Sequence, residues 1–189
     1  VSRAASWRLD PATVAALVEA RHGDPFAVLG PHAHAEGLVV RVLLPGADAV
    51  ELLGGDGRVL AGLERRHADG LFEGCLAGVT GRLAYRLRAI RGGELRELDD
   101  PYRFGPVLGE LDEHLLREGE HRRLWERLGA HPILHEGVAG VQFAVWAPNA
   151  SRVAVVGDFN DWDGRLHGMR RRQVSGVWEI FLPGVARGG

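Results

Sequence analysis

The sequence predicts a mainly β chain: two immunoglobulin-like β-sandwich modules in tandem, joined by a short helical linker, the second module ending before its last strand. Three observations carry that prediction. Short runs alternate apolar and polar residues with the period of two that a half-buried strand needs. Glycine supplies 27 of the 189 residues, which suits many tight turns and few helices. The two β-rich stretches also align with each other, the mark of a duplicated unit.

Asp10-Pro11 opens the first element. Asp10 fits a helix N-cap, and Pro11 fits the first helical position, where a missing N–H costs nothing. Val14, Leu17 and Val18 form one apolar stripe that ends near Arg21 and Gly23, a helix of about three turns. From Leu38 the period switches to two. Leu38, Val40, Val42 and Leu44 share a face until Pro45-Gly46 stops the strand. Further strands are predicted over 49–53, 58–63, 71–76, 83–90 and 94–98, with glycine turns such as Gly54-Gly55-Asp56-Gly57 between them. Residues 110–128 change to a helical pattern: Leu111 and Leu115 share one face, Leu124 and Leu128 another, and Gly119 divides the segment. Strands return over 141–147, 152–156 and 177–182. The implied domains are 1–106 and 131–189, with a linker over 107–130.

The repeat fixes the expected core and isolates what differs. Leu29-Gly30-Pro31-His32 matches Leu128-Gly129-Ala130-His131, and 37–52 matches 140–155 without a gap. Gly70-Leu71-Phe72-Glu73 matches Gly176-Val177-Trp178-Glu179, and Gly78-Val79 matches Gly184-Val185. Inward residues are expected to be Val40, Val42 and Phe72 in one copy and Phe143, Val145 and Trp178 in the other. Trp146 points opposite Val145, toward the second sheet face or a domain contact; Trp125 is expected to anchor the linker, and Trp7 to staple the first helix. Between Gly54 and Arg58 the first copy has a bare turn. The second copy instead runs from Gly157 to Arg165 through Asp158-Phe159-Asn160-Asp161-Trp162-Asp163-Gly164. Loop chemistry added to a shared scaffold is where binding residues concentrate. The first copy continues past Gly78 into the strand around Tyr85, whereas Gly189 aligns with Leu83. The expectation is a fragment of a longer protein.

Composition narrows the function classes. With 23 basic and 25 acidic side chains and a formal net charge of -2, and no long run of one sign, neither nucleic acid nor an anionic membrane is an expected partner. Cys75 is the single cysteine, so a disulfide scaffold is excluded. Residues 1–9 lack a hydrophobic signal core and no apolar run is long enough to span a bilayer, which makes a cytoplasmic protein the expectation. His32, His34, His131 and His135 have no cysteine and no clear carboxylate partner in sequence, so turn hydrogen bonding is expected of them rather than metal binding. Neither a metal nor a cofactor is expected. Asp99-Asp100 are sequence neighbours that point apart, and Pro101 makes the stretch a turn.

Two sets of motifs resemble a known family. His22-Gly23-Asp24-Pro25-Phe26-Ala27-Val28-Leu29-Gly30-Pro31-His32 and Asp99-Asp100-Pro101-Tyr102-Arg103-Phe104-Gly105-Pro106 resemble the opening module of bacterial 1,4-α-glucan branching enzymes. Val145-Trp146-Ala147-Pro148-Asn149-Ala150, followed by 155–165, resembles their second module, a family 48 carbohydrate-binding module. The resemblance implies a non-catalytic N-terminal region of an enzyme that cuts α-1,4 linkages and transfers the freed chain to a 6-hydroxyl. Such chemistry uses two carboxylates, and in this family both lie in a downstream (α/β)8 barrel. That barrel is the expected partner within the whole protein, and no catalytic residue falls on this chain. The alternative is a stand-alone glucan-binding or scaffolding module.

Trp162, with Asn160 and Asp161, is the candidate glucan site, for glycogen or a maltooligosaccharide. The apolar face of a glucose ring stacks on an indole while its hydroxyls seek nearby polar groups. In sugar-binding relatives the tryptophan of the Phe-Asn-x-Trp motif does this, together with a lysine and a second tryptophan. No lysine of this sequence matches that site. A second reading stands beside the first: Trp162 packs within its own hairpin or against the barrel.

Overall fold

Asp10 caps the first helix in the predicted way. Its Oδ1 accepts from the N–H groups of Ala12 and Thr13, both at 3.0 Å, and Pro11 opens helix α1, Pro11–Val18. The helix is shorter than the apolar stripe implied. Ala20 takes a left-handed conformation (φ 58°), the Ala20 N–H donates to the Leu17 carbonyl and the Arg21 N–H to that of Ala16, so a Schellman turn stops it. In this computed structural model residues 7–109, 113–114 and 124–185 are described. They fall into two units, divided between His22 and Gly23, between Ala27 and Val28 and between Arg103 and Phe104, with 23–27 belonging to the second unit.

The first unit is an immunoglobulin-like sandwich. Its strands are β1 (Gly30–His34), β2 (Gly37–Leu43), β3 (Ala49–Gly54), β4 (Val59–His67), β5 (Leu71–Ala77), β6 (Tyr85–Arg91) and β7 (Glu94–Leu98). The ladder runs β1-β2-β5-β4-β3-β6-β7. Strand β4 serves both layers, its first half pairing with β3 and its second with β5. The change of partner falls between Leu63 and Glu64, and just beyond it the register with β5 slips between Arg65 and His67, as at a β-bulge. Leu38, Val40 and Val42 of β2, Phe72 of β5, Val50 and Leu52 of β3 and Tyr85 and Leu87 of β6 form one buried cluster. Val40, Val42 and Phe72 therefore lie inward, as predicted.

The second unit contains β8 (Gly129–His135), β9 (Val138–Trp146), β10 (Arg170–Arg171) and β11 (Val177–Pro183) in the order β10-β11-β9-β8. It repeats one layer of the first unit residue for residue. Val42 faces Phe72, and Val145 faces Trp178. Arg65 faces Phe72, and Arg171 faces Trp178. Gly30 faces Arg41, and Gly129 faces Ala144. The second layer repeats too. The bridge between Ala154 and Gly168 is the counterpart of the Glu51–Gly62 pair of β3 and β4. No regular strand forms over 152–156, although Met169 N–H donates to Val153 and Val155 N–H to His167.

Trp178, Ile180, Leu182 and Met169 form the second core, with Phe143, Val153 and Val155 packed against it. Phe143 and Trp178 lie where the sequence put them, but Val145 does not behave as a core residue. It stands on the core face, opposite Trp178, yet is 41% exposed. In the first unit Tyr85 and Leu87 belong to the cluster that buries its counterpart Val42; among the described residues of the second, no strand takes the place of β6. The predicted helical segment 110–128 falls largely outside the described residues, with Leu111, Leu115 and Gly119 among those not described. Glu113 and His114 are helical, Leu124–Glu126 is a 3₁₀ turn, and β8 begins at Gly129.

Candidate functional site

The extra loop of the second unit is a tightly bonded turn. A short 3₁₀ helix, Asp158–Asn160, opens it. Asn160 is buried beneath: its Oδ1 accepts from the Gly157 N–H at 2.9 Å, and its Nδ2 donates to the Val155 carbonyl and to His167 Nδ1, both at 2.9 Å. Burial pushes the His167 imidazole down to about 4, so the ring is neutral near pH 7, as an Nδ1 acceptor must be. Asp163 grips Arg165 with both carboxylate oxygens, and the hydrogen bonds from Arg165 hold the Asp163 carboxyl below its usual range.

Trp162 stands on this base, 66% exposed. Its indole Nε1 donates to Asp158 Oδ1 at 2.9 Å, and its backbone N–H to the Gly157 carbonyl at 3.1 Å. Asp161 and Trp162 are both left-handed, with φ of 53° and 57°. Two adjacent non-glycine residues in that region, one of them bulky, store strain of about 1–3 kcal/mol each, and such strain concentrates at binding sites. An aromatic ring fixed at its polar edge, with a free face toward solvent, is the form a sugar platform takes. Trp162 and Asp161 are exposed side by side, whereas Asn160 lies buried under them. Sequence reasoning missed Asp158 and His167, which hold the indole and the turn. Their signal was present, since both lie in or beside the insertion.

His32, His131 and His135 each bond to a backbone carbonyl. His32 Nε2 donates to the Leu29 carbonyl at 3.0 Å, and His131 Nε2 to the Leu128 carbonyl at 2.8 Å, one bond repeated in both copies. His135 Nε2 donates to the Gly105 carbonyl. Among the described residues no three histidine, cysteine or acidic side chains gather as a metal site. Asp99 and Asp100 do point apart: Asp99 pairs with Arg103 at 2.9 Å, while Asp100 is buried and accepts from the Tyr85 hydroxyl at 2.5 Å. Trp146 lies on the face opposite Val145 and is exposed. The Trp7 carbonyl accepts from Arg41. Among the described residues no helix is long and apolar enough to cross a membrane.

The described residues form a duplicated immunoglobulin-like sandwich, the second copy carrying an aromatic loop where the first has a bare turn. Residues 127–189 match carbohydrate-binding module 48, described as the isoamylase N-terminal domain. Residues 10–102 match the N-terminal domain of the alpha-1,4-glucan branching enzyme GlgB. The chain is 57% identical over 181 residues to the 1,4-alpha-glucan branching enzyme GlgB of Rhodospirillum rubrum, covering 93% of this chain and 24% of that protein. It is 58% identical over 168 residues to that of Roseobacter denitrificans, covering 88% and 23%, and 56% identical over 176 residues to that of Rubrobacter xylanophilus, covering 93% and 24%. The chain belongs to the N-terminal region of the GlgB branching-enzyme family, and it spans about a quarter of the length of these relatives.

Proposed function

We propose that this chain is the glucan-handling front of a cytoplasmic branching enzyme, which forms α-1,6 branches in glycogen by transferring cleaved α-1,4 chains in a separate catalytic barrel. Its own part is to support that barrel and to hold an α-glucan, glycogen or a maltooligosaccharide, on the loop 157–165. Trp162 stacks on the sugar face, Asp161 accepts from a hydroxyl, and Asn160 contributes from below by fixing the turn that presents both. The observation that carries this reading is the exposed, strained and edge-bonded indole of Trp162, in a loop that the first copy lacks.

The test is electrophoresis of the chain through a glycogen-containing native gel. The wild type is expected to be retarded, and Trp162→Ala to lose about 1–3 kcal/mol of binding, the scale of burying one large side chain. The fold survives the change, because the first sandwich closes without this loop. A Trp162→Ala chain retarded as strongly as wild type makes Trp162 a packing residue and ends the platform reading. A wild type that migrates freely ends glucan binding by this region.

A further inference from the structure

The two modules repeat more than their strands. A 3₁₀ turn, Pro25–Ala27, stands before β1, and another, Leu124–Glu126, stands before β8 at the same spacing. Each is followed by the same histidine-to-carbonyl bond, His32 to Leu29 and His131 to Leu128. Phe26 and Trp125 are therefore one position in the two copies.

Phe26 has a definite occupation. The turn that carries it belongs to the second unit, not to the strands that follow it in sequence. Its ring packs against the core of Met169, Trp178, Ile180 and Leu182, and the Arg170 guanidinium lies over it, 4.1 Å from the centroid. Pro25 seats so closely on Gly168 that a Cβ there would meet it at 2.6 Å. The aromatic turn of the first copy thus completes the module that comes next in the chain. Trp125, its counterpart, is 69% exposed. An indole left in water forgoes the largest hydrophobic gain that any side chain can make by burial, and the curated relatives are about four times as long as the region this chain covers.

We propose that Trp125 is a pin that completes the domain following the second module in the full-length protein, as Phe26 completes the second module. The socket it fits has the chemistry seen around Phe26: an apolar wall, a glycine or other small residue beneath the turn, and a guanidinium over the ring face.

Hydroxyl-radical footprinting of the full-length protein tests this, read by mass spectrometry at Trp125, at the buried Trp178 and in the same protein unfolded in urea. Trp125 is expected to be oxidised at a rate nearer that of Trp178 than that of the unfolded chain. A rate nearer the unfolded one overturns the proposal. In the full-length protein Trp125→Ala is expected to lower the unfolding midpoint by several degrees, and Trp125→Phe to retain it, since phenylalanine fills the equivalent position. Trp125→Ala unfolding at the wild-type temperature also overturns it. Neither readout involves glucan, so the outcome stands apart from the fate of Trp162.

Discussion

Asp100 is a carboxyl that sits fully buried, and burial pushes its pKa up from 3.8 to about 6, against the pull of the Tyr85 hydroxyl and the Tyr102 N–H that it accepts from. Tyr85 is raised well above its usual range in turn, by its own burial first and the Asp100 charge second. The sign of the effect follows from linkage. Between about pH 4 and pH 6 the folded chain holds a proton on Asp100 that the unfolded chain has released, so this group's contribution to stability falls as pH rises through that window. The loss approaches ~3 kcal/mol by neutrality, since each tenfold difference in proton affinity between the two states is worth about 1.4 kcal/mol. Asp100→Asn removes the titration while keeping an acceptor for Tyr102 and a partner for the Tyr85 hydroxyl. Urea unfolding of the first unit at pH 4.5 and pH 7 is expected to show wild type losing stability relative to Asp100→Asn as pH rises. Parallel stabilities across that range would mean that Asp100 is not held in its protonated form.

At the scale of elements, the duplicated feature is a buried acid on the strand next to the sheet centre. Glu73 of β5 is fully buried, pairs with Arg66 and lies near Arg41, and accepts from the Leu9 N–H just ahead of α1. Glu179 of β11 does the same in the second unit. Its Oε2 accepts from the Val107 and Leu108 N–H groups at 3.1 and 3.0 Å, and Arg172 stands 3.6 Å from its Oε1. Arg172 also donates to the Leu108 carbonyl and to Glu113. Each acid ties the segment ahead of its module to the sheet. The Val14-to-Asp10 bond in the first copy and the Glu113-to-Gly109 bond in the second show that the repeat begins there, before the strands. The pattern of strands was legible because apolar alternation survives in both copies. The leading segment was not, because Asp10 and Gly109, or Val14 and Glu113, share no chemistry and the equivalence lies in backbone bonds. Strands β1 and β8 escaped for a related reason: Gly-Pro-His-Ala-His does not alternate, and its ladder to β2 supplies the order. Glu179→Ala leaves Arg172 with Glu113 as its remaining carboxylate and strips the Val107 and Leu108 N–H groups of their acceptor, and is expected to cost about 1–3 kcal/mol in urea unfolding. A single variant as stable as wild type would show that the acid does not hold the segment.

For the whole molecule, duplication separates scaffold from chemistry. Both copies use the same register and the same buried acid, and only the second adds the Trp162 loop, so the proposed glucan site rests on one module. Cleavage with retention needs two carboxylates about 5–5.5 Å apart on either side of the bond, one of them a ready proton donor. The buried acids and two of the three loop-borne acids are otherwise engaged. Glu73 and Glu179 face arginines, Asp100 faces Tyr85, Asp158 holds the indole of Trp162, and Asp163 holds Arg165. At the proposed platform a sugar on Trp162 would meet the neighbouring Asp161 as a hydroxyl acceptor, with no second acid set across a cleft from it among these residues. The 189-residue chain, incubated with amylose, is expected to leave the iodine absorbance unchanged and to form no α-1,6 linkages, while the full-length protein lowers the absorbance as branches form. A fall in absorbance with the purified chain alone would place a catalytic pair within these two sandwiches and overturn the proposed division between them and a separate barrel.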